Sequence, residues 1–262
     1  MKLKIYQLDA FTDKIFCGNP AAVCPLDEWL PDHVMQNIAM ENNLAETAFF
    51  VKRDEQFDIR WFTPAIEVDL CGHATLASAA VLYDFEKYTG DVITFFSQRS
   101  GILTVTRSGN LLTLDFPSDK FERVDLSPQL IACFNSQPVE AYRGKTDYML
   151  VFSTEEEIRK LVPDIPAIVK IKSRGIIVTA PGVEVDFVSR FFAPQSGVDE
   201  DPVTGSAHTT LTPYWAQKTG KSELSAIQLS ARKGFLKCAH HGDRVKISGQ
   251  VKTYLQGEIT VE

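Results

Sequence analysis

Two short segments contain titratable side chains whose spacing could support catalysis. In Cys71-Gly72-His73, a thiol and an imidazole flank a glycine at the predicted start of a helix. The acidic run 199–201 precedes a second such start at Gly205-Ser206. Backbone N–H groups at a helix start lack partners and carry partial positive charge, so they can bind a carboxylate without a metal. Alternatively, the glycines only allow close packing, and the charged residues are helix caps.

A third candidate is Glu46, which stands among apolar residues at the start of a predicted strand. Burial raises the pKa of a carboxyl group, which can then take up and return a proton near neutral pH. The alternative is a glutamate on an edge strand that faces water. The sequence pattern leaves both interpretations open.

The thiol of Cys71 suggests a racemase with one thiol on each face of a substrate carbon, because a helix start stabilises a thiolate. The matching loop 200–204 contains no cysteine, so we expect Cys71 to be a small packing residue. The other four histidines show no metal-site spacing, and nucleotide-binding and serine hydrolase motifs are absent. The sequence therefore predicts neither a metal nor a cofactor.

The elements that must position these side chains occur twice. Residues 57–69 and 187–199 match at six of thirteen positions with a constant offset of 130, where chance gives about one. From Gly72 and Gly205 onward the offset is 133, which places three extra residues between Asp199 and Gly205. We therefore predict two similar halves, 1–118 and 119–262, with the last strand able to pack back on the first half.

Periodicity predicts that each half consists mostly of strands around one helix. Residues 72–83 have almost no polar face, which is typical of a helix buried on all sides. The corresponding helix is expected to start near Gly205, and Pro213 should kink or end it. The fold class that follows is a mixed α/β fold.

Composition excludes several classes of protein. The 262 residues are 44% hydrophobic and 23% charged, which are ordinary globular values. Acidic residues outnumber basic ones by 34 to 27, so no general affinity for nucleic acid or anionic membranes is expected. The five cysteines are scattered, and no long apolar stretch or secretion signal is evident. We expect a cytoplasmic protein without a membrane or nucleic-acid partner.

Five motifs, in order along the chain, resemble the PhzF family of phenazine-biosynthesis isomerase-like proteins. They are Asp9-Ala10-Phe11, Gly18-Asn19-Pro20-Ala21-Ala22-Val23, Asn43-Leu44-Ala45-Glu46-Thr47-Ala48-Phe49, Cys71-Gly72-His73-Ala74-Thr75 and Asp201-Pro202-Val203-Thr204-Gly205-Ser206-Ala207. The resemblance covers essentially the whole chain. It implies the diaminopimelate-epimerase-like fold, in which two pseudo-symmetric halves each roll a sheet around a central helix, with the active site between them.

The resemblance also implies catalytic roles. The characterised phenazine enzyme of this family isomerises a dihydro-hydroxyanthranilate by moving a proton, without cofactor or metal. Its general acid/base corresponds to Glu46. The residues that assist by binding and orienting the substrate correspond to His73 and Asp201.

The remaining site residues would bind the substrate. Gly72, Gly205 and Ser206 would supply anion-binding donors, and Cys71 lies beside them. We expect a cofactor-independent isomerase, forming a homodimer, that moves a proton on a small carboxylate-bearing metabolite. The alternatives are a cysteine-assisted epimerase or racemase and a non-catalytic small-molecule-binding protein.

Overall fold

The computed structural model describes residues 1–262 and contains seventeen strands and six α-helices. The strands are β1 (Lys2–Ala10), β2 (Asn19–Leu26), β3 (Glu46–Arg53), β4 (Gln56–Phe62), β5 (Glu67–Val68), β6 (Val92–Ser97), β7 (Gly101–Ser108), β8 (Leu111–Pro117), β9 (Glu122–Val124), β10 (Glu140–Arg143), β11 (Tyr148–Val151), β12 (Ile176–Pro181), β13 (Phe187–Phe192), β14 (Glu223–Gln228), β15 (Gly234–His241), β16 (Arg244–Gly249) and β17 (Val251–Thr260). The helices are α1 (Asp32–Asn42), α2 (Gly72–Asp84), α3 (Pro128–Ile131), α4 (Glu155–Lys160), α5 (Ile165–Val169) and α6 (His208–Thr219). None of the helices is long and apolar enough to cross a membrane.

The chain divides into two compact units. The first consists of Met1–Asp115 together with Ser248–Glu262, and the second consists of Phe116–Ile247. The sequence-based division placed residues 248–262 in the C-terminal half but allowed the last strand to pack back on the first half. The structure groups them with the first unit because β17 pairs with β1 in antiparallel register along nearly its whole length.

The sheet of the first unit has the strand order β17-β1-β2-β3-β4-β6-β7-β8. Only the β2–β3 and β4–β6 pairs are parallel, and helices α1 and α2 lie in the two long connections that such pairs require. Helix α2 is buried from Gly72 to Leu82 and contacts β1, β2, β3 and β17. The sheet therefore wraps around α2, as the nearly unbroken apolar pattern of this helix predicts.

The second unit repeats this scheme. Its strand order is β9-β10-β11-β12-β13-β14-β15, and only the β11–β12 and β13–β14 pairs are parallel. Helices α4 and α5 lie in the first of the two crossovers, and α6 lies in the second and packs on β14 and β15. The predicted mixed α/β fold with two similar halves is confirmed.

Helix α6 differs from its sequence-based prediction at its start, and of the two effects predicted for Pro213, a kink or an end, the end does not occur. It begins at His208 rather than near Gly205, because residues 205–207 form a tighter turn in which His208 N–H donates to the Gly205 carbonyl oxygen at 3.0 Å. The helix also continues through Pro213 and ends at Thr219, where Gly220 takes a left-handed φ of 72°. Pro213 therefore neither ends the helix nor marks its boundary.

The three extra residues of the second unit lie earlier than predicted. In the first unit Trp61 pairs with Val68, whereas Phe191, the counterpart of Trp61, accepts a hydrogen bond at its carbonyl oxygen from Asp201 N–H at 3.0 Å. Asp201 is therefore the structural equivalent of Val68, and the offset of 133 already holds there. The extra residues therefore lie between Ala193 and Glu200, a segment that includes the 3-10 turn Pro194–Ser196, and not between Asp199 and Gly205.

Candidate functional site

The carboxylate of Glu46 stands at the first residue of β3. Asn43 caps the C-terminal end of helix α1, and its left-handed φ of 49° turns the chain toward β3. Strand β3 then pairs with β2. The next residue, Thr47, is buried and accepts a hydrogen bond from Asn42 Nδ2 at 3.0 Å. Only 18% of the Glu46 side chain is exposed. Of the two interpretations left open by the sequence, the structure favours the largely buried carboxylate.

The imidazole of His73 meets this carboxylate. His73 is the second residue of the buried helix α2, and its Nε2 lies 3.1 Å from Oε2 of Glu46. Burial by itself lowers the pKa of His73, but the negative charge of Glu46 and the side-chain hydrogen bonds to Cys71 and Glu46 offset it, so the pKa is raised well above its usual value. The pair can therefore hold a proton between an imidazole and a carboxylate, the two groups most used for proton transfer in enzymes.

The contact between His73 and Glu46 is close but is not a well-aligned hydrogen bond. Oε2 of Glu46 is buried and has no hydrogen-bond partner, although Nε2 of His73 is only 3.1 Å away. A buried acceptor whose hydrogen bond is poorly formed costs about 1–3 kcal/mol. A substrate proton can bond to this oxygen better than Nε2 of His73 does.

Asn19 fixes the other side of the imidazole ring. Its amide nitrogen Nδ2 lies 3.1 Å from Nδ1 of His73, a contact in which the amide donates when Nδ1 carries no proton. A doubly protonated ring would require the Asn19 amide to turn its oxygen toward Nδ1. The preceding Gly18 has a φ of +64°, and a Cβ there would lie 2.2 Å from the Ala10 carbonyl oxygen. Only glycine fits at this turn.

The thiol of Cys71 completes the group in the first unit. Cys71 caps α2, and its Sγ lies 3.5 Å from Nδ1 and 3.9 Å from Nε2 of His73. Burial, reinforced by the Glu46 carboxylate, raises the pKa of this thiol to about 11. Because the cost of desolvation exceeds the benefit of the helix start, Cys71 is a neutral thiol near pH 7. The ligand atoms of Glu46, Cys71 and His73 lie within 4.8 Å of one another, so they are also the group that could hold a metal ion.

In the second unit, hydrogen bonds hold the loop that contains Asp201. Thr204 donates from its hydroxyl to Oδ2 of Asp201 at 2.5 Å. The buried Gln228 donates to the Asp201 carbonyl oxygen at 2.8 Å and accepts from the Thr204 N–H at 2.9 Å. The Asp201 carboxylate therefore has a fixed position before the turn at Gly205.

Arg174 orients the hydroxyl of Ser206. Its Nη1 donates to Oγ of Ser206 at 2.9 Å, and its Nε donates to Oδ1 of the buried Asp147 at 2.9 Å, with a second contact from Nη2 to Oδ2. The guanidinium also lies over the ring of Phe191, 5.2 Å from its centroid. Burial lowers the pKa of Arg174, but Asp147, Asp201 and Asp119 together raise it. The positive charge of Arg174 is therefore balanced by neighbouring carboxylates, and the side chain holds the Ser206 hydroxyl in place.

Sequence reasoning assigned no role to Asn19 or Arg174. Asn19 belongs to one of the motifs that carry the family resemblance. The motif singles out this residue but does not indicate its contact with His73. Arg174 lies before β12, outside every motif. Nothing in the local sequence indicates that it meets Ser206.

Three comparisons place the chain among known proteins. The sequence pattern of the family described as "Phenazine biosynthesis-like protein" matches residues 8–257. An uncharacterized isomerase of Pseudomonas aeruginosa is 50% identical over 259 residues, which is 99% of each chain. The crystal structure of a PhzF-family phenazine biosynthesis protein from Enterococcus faecalis is 46% identical, with a TM-score of 0.97 over 100% of both chains. A probable proline racemase from Agrobacterium radiobacter, 10% identical, covers 99% of this chain and 93% of its own with a TM-score of 0.63, and shares the fold.

The chain has the mixed α/β fold of PhzF-family proteins, which the proline racemase shares. Within this fold class, the chain belongs to the phenazine biosynthesis-like family. It is a PhzF-like isomerase.

Proposed function

We propose that the protein moves a proton between two atoms of one small carboxylate-bearing molecule, with Glu46 as general acid/base and without a cofactor. The observation that carries this proposal is the buried Oε2 of Glu46, which lies 3.1 Å from Nε2 of His73 in a contact without good hydrogen-bond geometry. A positioned carboxylate of this kind can supply about 10²–10⁴-fold in rate by proton transfer.

The proposed reaction needs only groups of this chain and its substrate. Oε2 of Glu46 takes a proton from a substrate carbon, and the electron pair of the broken C–H bond is delocalised over the conjugated system of the substrate. Glu46 then returns the same proton to a second atom of that system, so the double bonds shift and no electrons are gained or lost. His73 orients the carboxylate and moderates its charge through the Nε2 proton.

The second unit has binding groups of its own in this proposal. Asp201 and the hydroxyl of Ser206 bind polar groups of a ligand, and the N–H groups near Gly205 donate to a carboxylate. Asp147 compensates the charge of Arg174, so main-chain donors and the Ser206 hydroxyl, rather than a free positive charge, are proposed to recognise the anion. Without a free positive charge, this arrangement fits a small molecule with one carboxylate better than a highly charged molecule.

A cysteine-assisted epimerase is the second candidate, because Cys71 stands at a helix start beside His73. Two observations count against it. The pKa of the thiol is raised to about 11, and the equivalent position in the second unit is Thr204 rather than a cysteine. A non-catalytic binding protein, the third candidate, offers no reason for a buried carboxylate beside an imidazole.

A proton-exchange screen in D2O separates these candidates. The protein is incubated with small carboxylic acids that contain an activated C–H bond, including cyclic dienoic acids and α-amino acids, and is followed by NMR and ultraviolet absorbance. The proposed isomerase shifts the absorbance of a dienoic acid as deuterium enters. Exchange at a stereocentre with loss of optical rotation and no change in absorbance would support the epimerase. Binding without exchange across the panel would contradict catalysis.

A further inference from the structure

Glu46, Cys71 and His73 bring three different metal-ligating atoms into one buried group. A carboxylate oxygen, a sulfur and an imidazole nitrogen lie within 4.8 Å of one another. We propose that this group binds a thiophilic divalent cation of the zinc class, and that the bound ion inhibits the enzyme by occupying the Glu46 carboxylate. The inhibition, but not the binding, rests on the proposed function of Glu46.

The distances fit a tetrahedral ion after small adjustments. Bond lengths of about 2.3 Å to sulfur and about 2.0–2.2 Å to nitrogen and oxygen place ligand atoms about 3.3–3.6 Å apart. The observed distances are 3.1 Å between Nε2 of His73 and Oε2 of Glu46, and 3.9 Å between Nε2 and Sγ of Cys71. A rotation of the partly exposed Glu46 side chain can open the first distance and admit the ion.

An independent feature of the group also indicates a ligand. The Oε2 atom of Glu46 is buried and lies 3.1 Å from Nε2 of His73 without good hydrogen-bond geometry, so one ion between these two atoms would bind both of them. Nδ1 of His73 faces the side-chain amide of Asn19 at 3.1 Å. Once that amide turns its oxygen to the ring, Asn19 can accept the Nδ1 proton of a metal-bound imidazole, as the second partner of a metal-bound histidine does.

The ligand set determines which ions bind. One sulfur, one nitrogen and one oxygen suit zinc, cadmium and cobalt, whereas magnesium and calcium require oxygen ligands in larger number. Three protein ligands leave a fourth position open to water or to a substrate carboxylate. The ion would act as a reversible inhibitor, because the same Oε2 atom cannot bind a metal and accept a substrate proton.

The test is a titration of the metal-free protein with Cd²⁺ and Zn²⁺, with Mg²⁺ as the control ion. We expect one equivalent of Cd²⁺ to produce the ultraviolet charge-transfer band of a thiolate–metal bond, and calorimetry to show a matching Zn²⁺ stoichiometry of one. Cys71→Ser should abolish the band, and Glu46→Gln and His73→Asn should weaken binding at least about tenfold. Cys17→Ser, which changes a more accessible thiol, should leave the band unchanged.

The outcomes separate this inference from the proposed function. A band that survives in Cys71→Ser, a band lost in Cys17→Ser, or no band at saturating Cd²⁺ would overturn the metal site. Circular dichroism and melting temperature verify that each variant is folded, and the three ligand variants test the site independently of one another. If Zn²⁺ binds as expected but Glu46→Gln retains normal turnover, the metal site stands and the acid/base assignment fails.

Discussion

Arg190 and Glu200 form a two-point ion pair, with Nε 2.7 Å from Oε1 and Nη2 2.9 Å from Oε2. Arg60 and Glu67 form the same pair in the first unit, at 2.7 and 2.8 Å. Glu200 directly precedes Asp201, so its ion pair ties the loop of a candidate site residue to β13. Glu200 therefore has a structural partner, whereas the sequence had grouped it with Asp201 as a candidate for chemistry.

Removing the carboxylate of Glu200 should destabilise the protein. Arg190 is only 11% exposed, so Glu200→Ala leaves a nearly buried cation without its counterion and should cost about 1–3 kcal/mol in the free energy of unfolding. Arg190→Ala should cost more, because the guanidinium also donates to the carbonyl oxygens of Ile158 and Leu161. Urea denaturation measures both. The exposed neighbour Asp199→Ala is the control, and an equal loss there would contradict the prediction.

Glu46→Gln should abolish most proton transfer and leave substrate binding nearly intact. The amide keeps the size of the side chain but cannot accept a proton at the relevant pH, so kcat should fall about 10²–10⁴-fold on an identified substrate. The measurement is deuterium incorporation under saturating substrate. Glu41→Gln, an exposed change on α1, serves as the matched control. Near-normal turnover of the Glu46 variant would remove the acid/base assignment.

Cys71 should prove dispensable for catalysis and slow to react. Because burial raises the pKa of its thiol to about 11, very little thiolate is present at pH 7, and iodoacetamide should label Cys71 only after unfolding. Mass spectrometry of the alkylated peptides measures this, with the more accessible Cys17 as the internal comparison. Cys71→Ser should retain most activity. A folded Cys71→Ser protein without any activity would favour the epimerase instead.

His208 should make the protein less stable in mild acid. Burial lowers its pKa to about 4, and its Nδ1 lies 2.8 Å from the Thr204 carbonyl oxygen. Between about pH 6.5 and pH 4, this histidine is protonated in the unfolded chain but neutral in the folded chain. This contribution to stability is therefore complete above about pH 6.5 and is lost as the pH falls toward 4, by up to about 3 kcal/mol.

The variant His208→Gln can still donate to Thr204 but cannot take up a proton in this range. Unfolding free energies measured between pH 7 and 4 should therefore fall less steeply for His208→Gln than for the wild type. The exposed His33→Gln should follow the wild-type slope. Parallel curves for all three proteins would show that His208 does not titrate as its burial requires.

Small carboxylates should stabilise the protein more than matched neutral amides. A ligand that binds only the folded state adds about 2.7 kcal/mol at a hundredfold excess over its Kd, which a thermal melt detects. Ser206→Ala should weaken this stabilisation without abolishing it, because main-chain N–H groups remain. Equal shifts by acids and amides would contradict anion recognition.

The sequence predicted the fold more completely than the site. Duplicated segments and an almost wholly apolar helix pattern are local features, so two similar halves around buried helices follow from the residues alone. The position of the extra residues does not, because chance identities at Val198 and Asp199 conceal the true register. The backbone hydrogen bond from Asp201 to Phe191 and the ion pair of Arg190 with Glu200 reveal it. A homodimer and a cytoplasmic location remain predictions of the sequence.

What the sequence by itself determined is the set of residue types and their order: Glu46 beside a strand, His73 at a helix start, and Asp201 before the matching turn. The tertiary structure alone decided which atoms meet. It brings Oε2 of Glu46 to Nε2 of His73, buries the Cys71 thiol so that it stays protonated, and aims Arg174 at Ser206. The physical reason is that desolvation and pairing depend on neighbours distant in the chain, which packing selects and no local pattern encodes.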